Sequence, residues 1–186
     1  MKQKIYVKRI NPNLELPKVI KKGDWIDLRA SETIRFRAPQ SGTLKTRKVN
    51  GEEEKYRNVS FDMKLIPLGV AMQLPDGMEA IVAPRSSTPI GMGISEGNSF
   101  GIIDGNAEGL GYNGPNDEWK FSAIAWRDTT ITEGERICQF RIQLSQKATF
   151  WHKLKWFFSS GVEIVEVPEL YNKDRKGFGE GTKDMK

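Results

Sequence analysis

The sequence predicts an all-β domain: a sandwich, a barrel or a jelly roll. Three observations predict it. The apolar runs are short and regularly spaced, as half-buried strands are. Glycine and proline, 18 and 9 of the 186 residues, punctuate those runs. The strand–helix alternation that builds a doubly wound sheet is missing, and no internal repeat appears. The length suits one domain with enough chain to bury a core.

Ile5-Tyr6-Val7 opens the first strand, and Asn11-Pro12-Asn13 breaks it. Gly23-Asp24-Trp25 turns into a short strand that ends near Ala30. Ile34-Arg35-Phe36-Arg37 alternates apolar and basic side chains, as a half-buried strand does. Residues 39–58 are polar and contain Asn50-Gly51, a favoured hairpin turn. With Glu52-Glu53-Glu54 near Lys45, Arg47 and Lys48, this stretch reads as a solvated excursion. Residues 59–82 give strand pieces separated by Pro67-Leu68-Gly69 and Pro75-Asp76-Gly77, and 121–126, 137–142 and 162–167 complete the set.

One segment breaks the pattern. In residues 150–158, Trp151, Leu154 and Phe158 fall at i, i+3 and i+7, one face of a short amphipathic helix with lysines between the aromatics. That face is expected to pack on a neighbouring subunit or on the chain's own sheet, with His152 an ordinary surface or interface residue. The tail, 172–182, is glycine-rich and cationic around Phe178. Glycines there let backbone N–H groups approach phosphate, and Phe178 can lie flat on a planar ligand.

A formal charge of +5, from 29 basic and 24 acidic residues, suits an anionic ligand. It is too weak and too scattered to argue for nucleic acid. The single histidine and the single cysteine, Cys138, leave no disulfide framework, no CxxC metal site and little scope for a histidine-centred one. A reducing cytoplasm is the expected setting, with no signal peptide and no membrane span.

Two motifs carry chemistry. Pro84-Arg85-Ser86-Ser87 offers a guanidinium and two hydroxyls, which suit an oligophosphate. Gly101-Ile102-Ile103-Asp104 places one carboxylate after an apolar strand, which suits a general base. Together they suggest hydrolysis of a phosphorylated small molecule. Taken separately, they also fit a loop arginine paired with a structural aspartate, and that reading stays open here.

Five motifs, in order from Asp24 to Thr182, resemble those of the trimeric all-β dUTP diphosphatases (dUTPases). They are Asp27-Leu28-Arg29-Ala30, Pro84-Arg85-Ser86-Ser87, Asn98-Ser99-Phe100-Gly101-Ile102-Ile103-Asp104, Gly134-Glu135-Arg136-Ile137-Cys138-Gln139-Phe140, and the tail from Arg175 to Thr182. The resemblance implies a distorted jelly-roll (β-clip) homotrimer with active sites shared between chains. It implies a β domain over 1–170, with insertions at about 39–58, 105–111 and 146–161. A flexible arm, 171–186, would close the site.

The implied reaction is Mg²⁺-assisted attack of water on the α-phosphorus of dUTP, giving dUMP and pyrophosphate, with Asp104 as general base. Arg85, Ser86, Ser87, Gln139, Arg175 and Thr182 would bind phosphate. Asn98, Gly101, Ile103, Tyr112 and Phe178 would hold uracil and deoxyribose, and Asp27 would support the network. No side chain is expected to ligate the metal directly; triphosphate and water would hold Mg²⁺. Family members place the sugar-packing tyrosine three residues after the aspartate, where this chain has Ala107, so Tyr112 is assigned that place after a loop insertion of about five residues. Lys176, Glu180 and Gly181 depart from the family's tail.

Two alternatives accompany this reading. One is a dCTP deaminase, or a bifunctional deaminase–dUTPase, of the same fold. The other is a dUTPase-fold regulatory protein that binds a protein partner through its added loops. Long forms with such added segments resemble those of Gram-positive bacteria and their phages.

Overall fold

The computed structural model describes residues 1–21, 23–105 and 111–175. Its strands are β1 (Gln3–Arg9), β2 (Ile26–Arg29), β3 (Ile34–Phe36), β4 (Gln40–Ser41), β5 (Lys45–Val49), β6 (Glu52–Tyr56), β7 (Val59–Ser60) and β8 (Met63–Gln73). There follow β9 (Met78–Pro84), β10 (Ile94–Glu96), β11 (Gly101–Asp104), β12 (Glu118–Ala125), β13 (Thr129–Ile131), β14 (Arg136–Leu144) and β15 (Val162–Glu166). One α-helix, α1 (Phe150–Phe157), precedes β15, and a π-helical turn, Thr88–Met92, follows β9.

Two sheets carry the fold. The first has the order β10-β12-β8-β1-β15 and the second β11-β9-β14-β2. All their pairings are antiparallel except β1 with β15. Strict alternation drives the burial: along β12 every second residue, Trp119, Phe121, Ala123 and Ala125, is fully buried. Trp119 of the first sheet meets Phe140 of the second edge-to-face, with ring centroids 5.3 Å apart. Such a pair adds about 1 kcal/mol beyond the area it buries. The core is thus the seam between the sheets.

Pro67-Leu68-Gly69 does not separate two strands, as the sequence suggested; β8 runs straight through it. The reason is a bulge. The β8–β12 register shifts between Glu118 and Lys120, and Gly69 takes φ +68°. The Glu118 carboxylate then accepts the Gly69 N–H at 2.8 Å in place of a ladder bond. Pro75-Asp76-Gly77 is the turn expected, with Gly77 at φ +72°.

The 39–58 excursion is a twisted ribbon. β5 and β6 pair from Lys45 opposite Tyr56 to Val49 opposite Glu52, and Asn50 and Gly51 both take positive φ, as a type I′ turn requires. Every residue of β5 is exposed.

The helix forms where its spacing places it, but it turns a different face inward. Trp151 and Phe158 are 72% and 71% exposed, while Trp156 packs against the core and Leu154 is half-buried. A capping box sets this orientation: Thr149 Oγ1 accepts the His152 N–H, and His152 Nδ1 accepts the Thr149 N–H. His152 also covers Gly77 so closely that no side chain would fit there. His152 and Trp156, four apart, therefore face the body. His152 is a cap, not a plain surface residue. No described helix is long and apolar enough to cross a membrane.

Candidate active site

The predicted residues fall into two groups on the second sheet. The first is built on a row across three strands, where Asp27 of β2 lies opposite Gln139 of β14, and Gln139 opposite Ala83 of β9. β9 ends at Pro84, which delivers Arg85 to the end of this row. Arg85 Nε donates to Asp27 Oδ1 at 2.8 Å, and Arg136 Nη1 to Asp27 Oδ2 at 3.0 Å. One carboxylate therefore holds two guanidiniums side by side. Gln139 Nε2 reaches the Pro84 carbonyl at 3.4 Å.

Ser86 and Ser87 stand on the loop that follows, Ser86 and Ser87 both open to solvent. Buried Thr88 anchors that loop, its hydroxyl donating to the Ile137 carbonyl at 2.7 Å. The result is a surface of two cations, two hydroxyls and an amide on a stiff sheet end, which fits a polyanion.

The second group lies on β11, on the turn that leads into it from β10, and on the loop beyond it. Asn98 and Ser99 form the turn, Ser99 at φ +71°. β11 is the edge strand of its sheet, paired with β9 alone among the described strands. Ile103, expected to touch the nucleotide, has its side chain in the core at 2% exposure. Alternation along β11 turns that side chain inward, so only its backbone faces outward. Gly101 sits close against Val82 and the Glu96 carboxylate.

Glu96 is a buried acid whose Oε2 has no hydrogen-bond partner among the described residues. Burial pushes its pKa up to about 7, against the opposing pull of the Gly101 N–H. Burial likewise pushes the Cys138 thiol up.

Asp104, at the end of β11, is half-exposed and paired with Arg175 of the same chain. The Arg175 guanidinium also lies over the Tyr112 ring, 4.6 Å from its centroid. Tyr112 N–H donates to the Asp104 carbonyl at 2.9 Å. The inserted loop thus returns the tyrosine to the aspartate instead of carrying it away. Phe178 and Thr182 lie outside the described residues, as do Ala107 and Glu108.

Along the β9–β11 ladder Asp104 stands opposite Glu79, whereas Arg85 is six residues further along β9. At about 3.3 Å per residue the two are roughly 20 Å apart. One chain does not bring them together. A groove of 390 Å³ lined by Val19, Trp25, Arg141 and Trp156 contains none of the predicted site residues.

No family model matches the chain. It is 41% identical over 165 residues to a prophage-derived deoxyuridine 5′-triphosphate nucleotidohydrolase of Bacillus subtilis, covering 88% of each chain. The chain belongs to the deoxyuridine 5′-triphosphate nucleotidohydrolase (dUTPase) family. It is also 34% identical to the dUTPase of Hydrogenobaculum sp., over 68% of this chain and 74% of that one. A point variant of the phage 80alpha dUTPase shares the fold with a TM-score of 0.54 at 17% identity, over 94% of this chain and 96% of that one.

Several residues of this candidate site have no assignment from the sequence. Arg136 had a signal, since it lies in the same motif as Gln139, three residues before it. Thr88, Glu96, Asn116 and Asp117 carry no spacing signal; only the folded chain brings them to the site.

Proposed function

We propose that the chain hydrolyses dUTP to dUMP and pyrophosphate by attack of an Asp104-activated water on the α-phosphorus. The observation that carries this reading is the separation of Asp104 from Arg85 in a chain of this family. A base and a phosphate clamp roughly 20 Å apart can serve one nucleotide only if they come from different chains, as in a homotrimer with shared sites.

In such a site Arg85, Arg136, Ser86, Ser87 and Gln139 of one chain hold the phosphates. Their fixed cations and hydroxyls favour charge building on the departing pyrophosphate. Asp27 keeps both guanidiniums in place. On the other chain the open edge of β11, from Gly101 to Ile103, presents backbone groups to the uracil, and Asn98 adds its amide. The Tyr112 ring packs on the deoxyribose. Asp104 takes the proton of the water. The arm, 171–186, brings Phe178 onto the base and Thr182 towards phosphate.

Mg²⁺ fits as an ion carried in by the substrate. The phosphate-facing half offers guanidinium, hydroxyl and amide groups, and Asp27 is already shared by two cations. Triphosphate oxygens and water would hold the ion, which when bound neutralises phosphate charge. The setting is cytoplasmic.

The test is pyrophosphate release from dUTP, dTTP, dCTP and UTP in parallel, with and without Mg²⁺. Release is expected from dUTP with Mg²⁺ and far less from the others. No release from dUTP would overturn the reading, and ammonia from dCTP would indicate the deaminase instead.

A further inference from the structure

The loop between Tyr112 and β12 is joined to the start of the C-terminal segment by two aspartates, one on each side. Asp117, 5% exposed, accepts the Gly114 N–H at 2.9 Å and the Arg175 N–H at 3.0 and 3.1 Å. From the opposite side, Asp174 accepts the Asn116 N–H at 2.9 Å and the Asn116 side-chain amide at 2.8 Å. Gly114 lies so close to Asp174 that any side chain there would collide with it. The loop is tied to the body in turn, where Asn113 Oδ1 accepts the Leu74 N–H at 3.4 Å. Residues 174 and 175 are therefore fixed in cis, and fixing the Arg175 backbone fixes where its guanidinium starts. That guanidinium spans the two groups of the Asp104 half, pairing with the carboxylate and covering the Tyr112 ring.

We propose that Asp117 is a positioning residue for hydrolysis. By holding the Arg175 N–H, it sets one guanidinium against both Asp104 and Tyr112. The general base and the sugar platform are thereby oriented together before the nucleotide arrives. Asp174, through Asn116, is the second arm of the same clamp. This rests on the reading of Asp104 as the base. Asp117 touches neither substrate nor water; it acts through Arg175.

Two readouts test it on the full-length protein. The first is a double-mutant cycle on kcat/KM for dUTP. Asp117→Ala is expected to lower kcat/KM about tenfold, the lower end of the value of a hydrogen bond to a charged acceptor. Asp117→Asn keeps one acceptor and should lose less. Asp174→Ala leaves the buried loop intact, guards against a folding defect, and should lose a few fold. In an Arg175→Ala background all three losses should vanish, because no guanidinium remains to be placed. Losses that instead add to that of Arg175→Ala would overturn the proposal, since Asp117 would then serve only its own loop.

The second readout is trypsin cleavage after Lys173 and Arg175, followed by mass. It should accelerate in Asp117→Ala and Asp174→Ala, and unchanged cleavage would overturn the clamp. Cleavage needs no turnover. A parent chain that failed to hydrolyse dUTP would therefore sink the functional reading, while the clamp stood or fell on cleavage alone.

Discussion

In the proposed reaction both halves of the site rest on a carboxylate paired with a guanidinium, but the roles are exchanged. At Asp27 the carboxylate is the support, and the working groups are Arg85 and Arg136. At Asp104 the carboxylate is the working group, and Arg175 is the support. Their settings differ to match. The Asp27–Arg85 pair is about a quarter exposed and stands on a row of three paired strands. The Asp104–Arg175 pair is more open, at 49% and 37%, on an edge strand and near the end of the described chain. A stiff half suits holding a polyanion at fixed geometry. An open half suits a carboxylate that must give up its cation to meet a water. The same ion pair therefore reads as scaffold or as machinery according to the strand beneath it.

The largest expected effect separates the two roles. Asp104→Asn keeps the shape and removes the base, so turnover should fall about a thousandfold, within the usual range for general-base loss. Binding of dUTP, read by calorimetry, should persist. Unchanged turnover would erase the distinction between the halves.

Next in size is Asp27→Asn, which leaves two adjacent guanidiniums sharing a neutral partner. A loss of about tenfold in kcat/KM, mostly in KM, is expected from weakened charge-assisted bonds. A loss confined to kcat would place Asp27 with the machinery instead.

Glu96 offers a smaller and pH-dependent effect. Its pKa is raised from 4.5 in the unfolded chain to about 7 in the fold. The folded state therefore holds the proton more tightly, and stability falls as pH rises from 4.5 through 7. Glu96→Gln has no such proton. It should match the parent near pH ~4 and melt at higher temperature by pH ~8, by the equivalent of at most about 3 kcal/mol. Parallel melting curves across that range would contradict the burial argument.

The smallest effect is expected at the ribbon. Its exposed ion pair, Arg47–Glu54, is worth at most about 1 kcal/mol. Replacing residues 44–57 by a short glycine–serine link should leave kcat/KM within about twofold, since the ribbon's described pairings and ion pair are internal to it. A larger loss would give the ribbon a part in the site.

Much of this was legible in the sequence, because local chemistry determined it. Asn50-Gly51 specifies its turn through positive φ, and β12 specifies its buried face through alternation. Residues 150–157 specify a helix through periodicity, although the capping box chose the face. The bulge at Gly69 was not legible, because it depends on Glu118, which lies 49 positions away. The motif residues Asp27, Arg85 and Asp104 were found by their order along the chain. Which of them stand together within one chain was not, since that follows from the β9–β11 register. Asp117 had no signal at all: its value lies in the Arg175 N–H, a partner 58 residues away.

The central claim is that the two halves meet across chains, and subunit complementation tests it most directly. Asp104→Asn and Arg85→Ala chains, each inactive alone, would be co-expressed with different tags and purified through both. Wherever the intact Asp104 of one chain faces the intact Arg85 of another, a complete site forms, so dUTP hydrolysis should return to a substantial fraction of the parent's. Mixed assemblies as inactive as either variant alone would contradict the account.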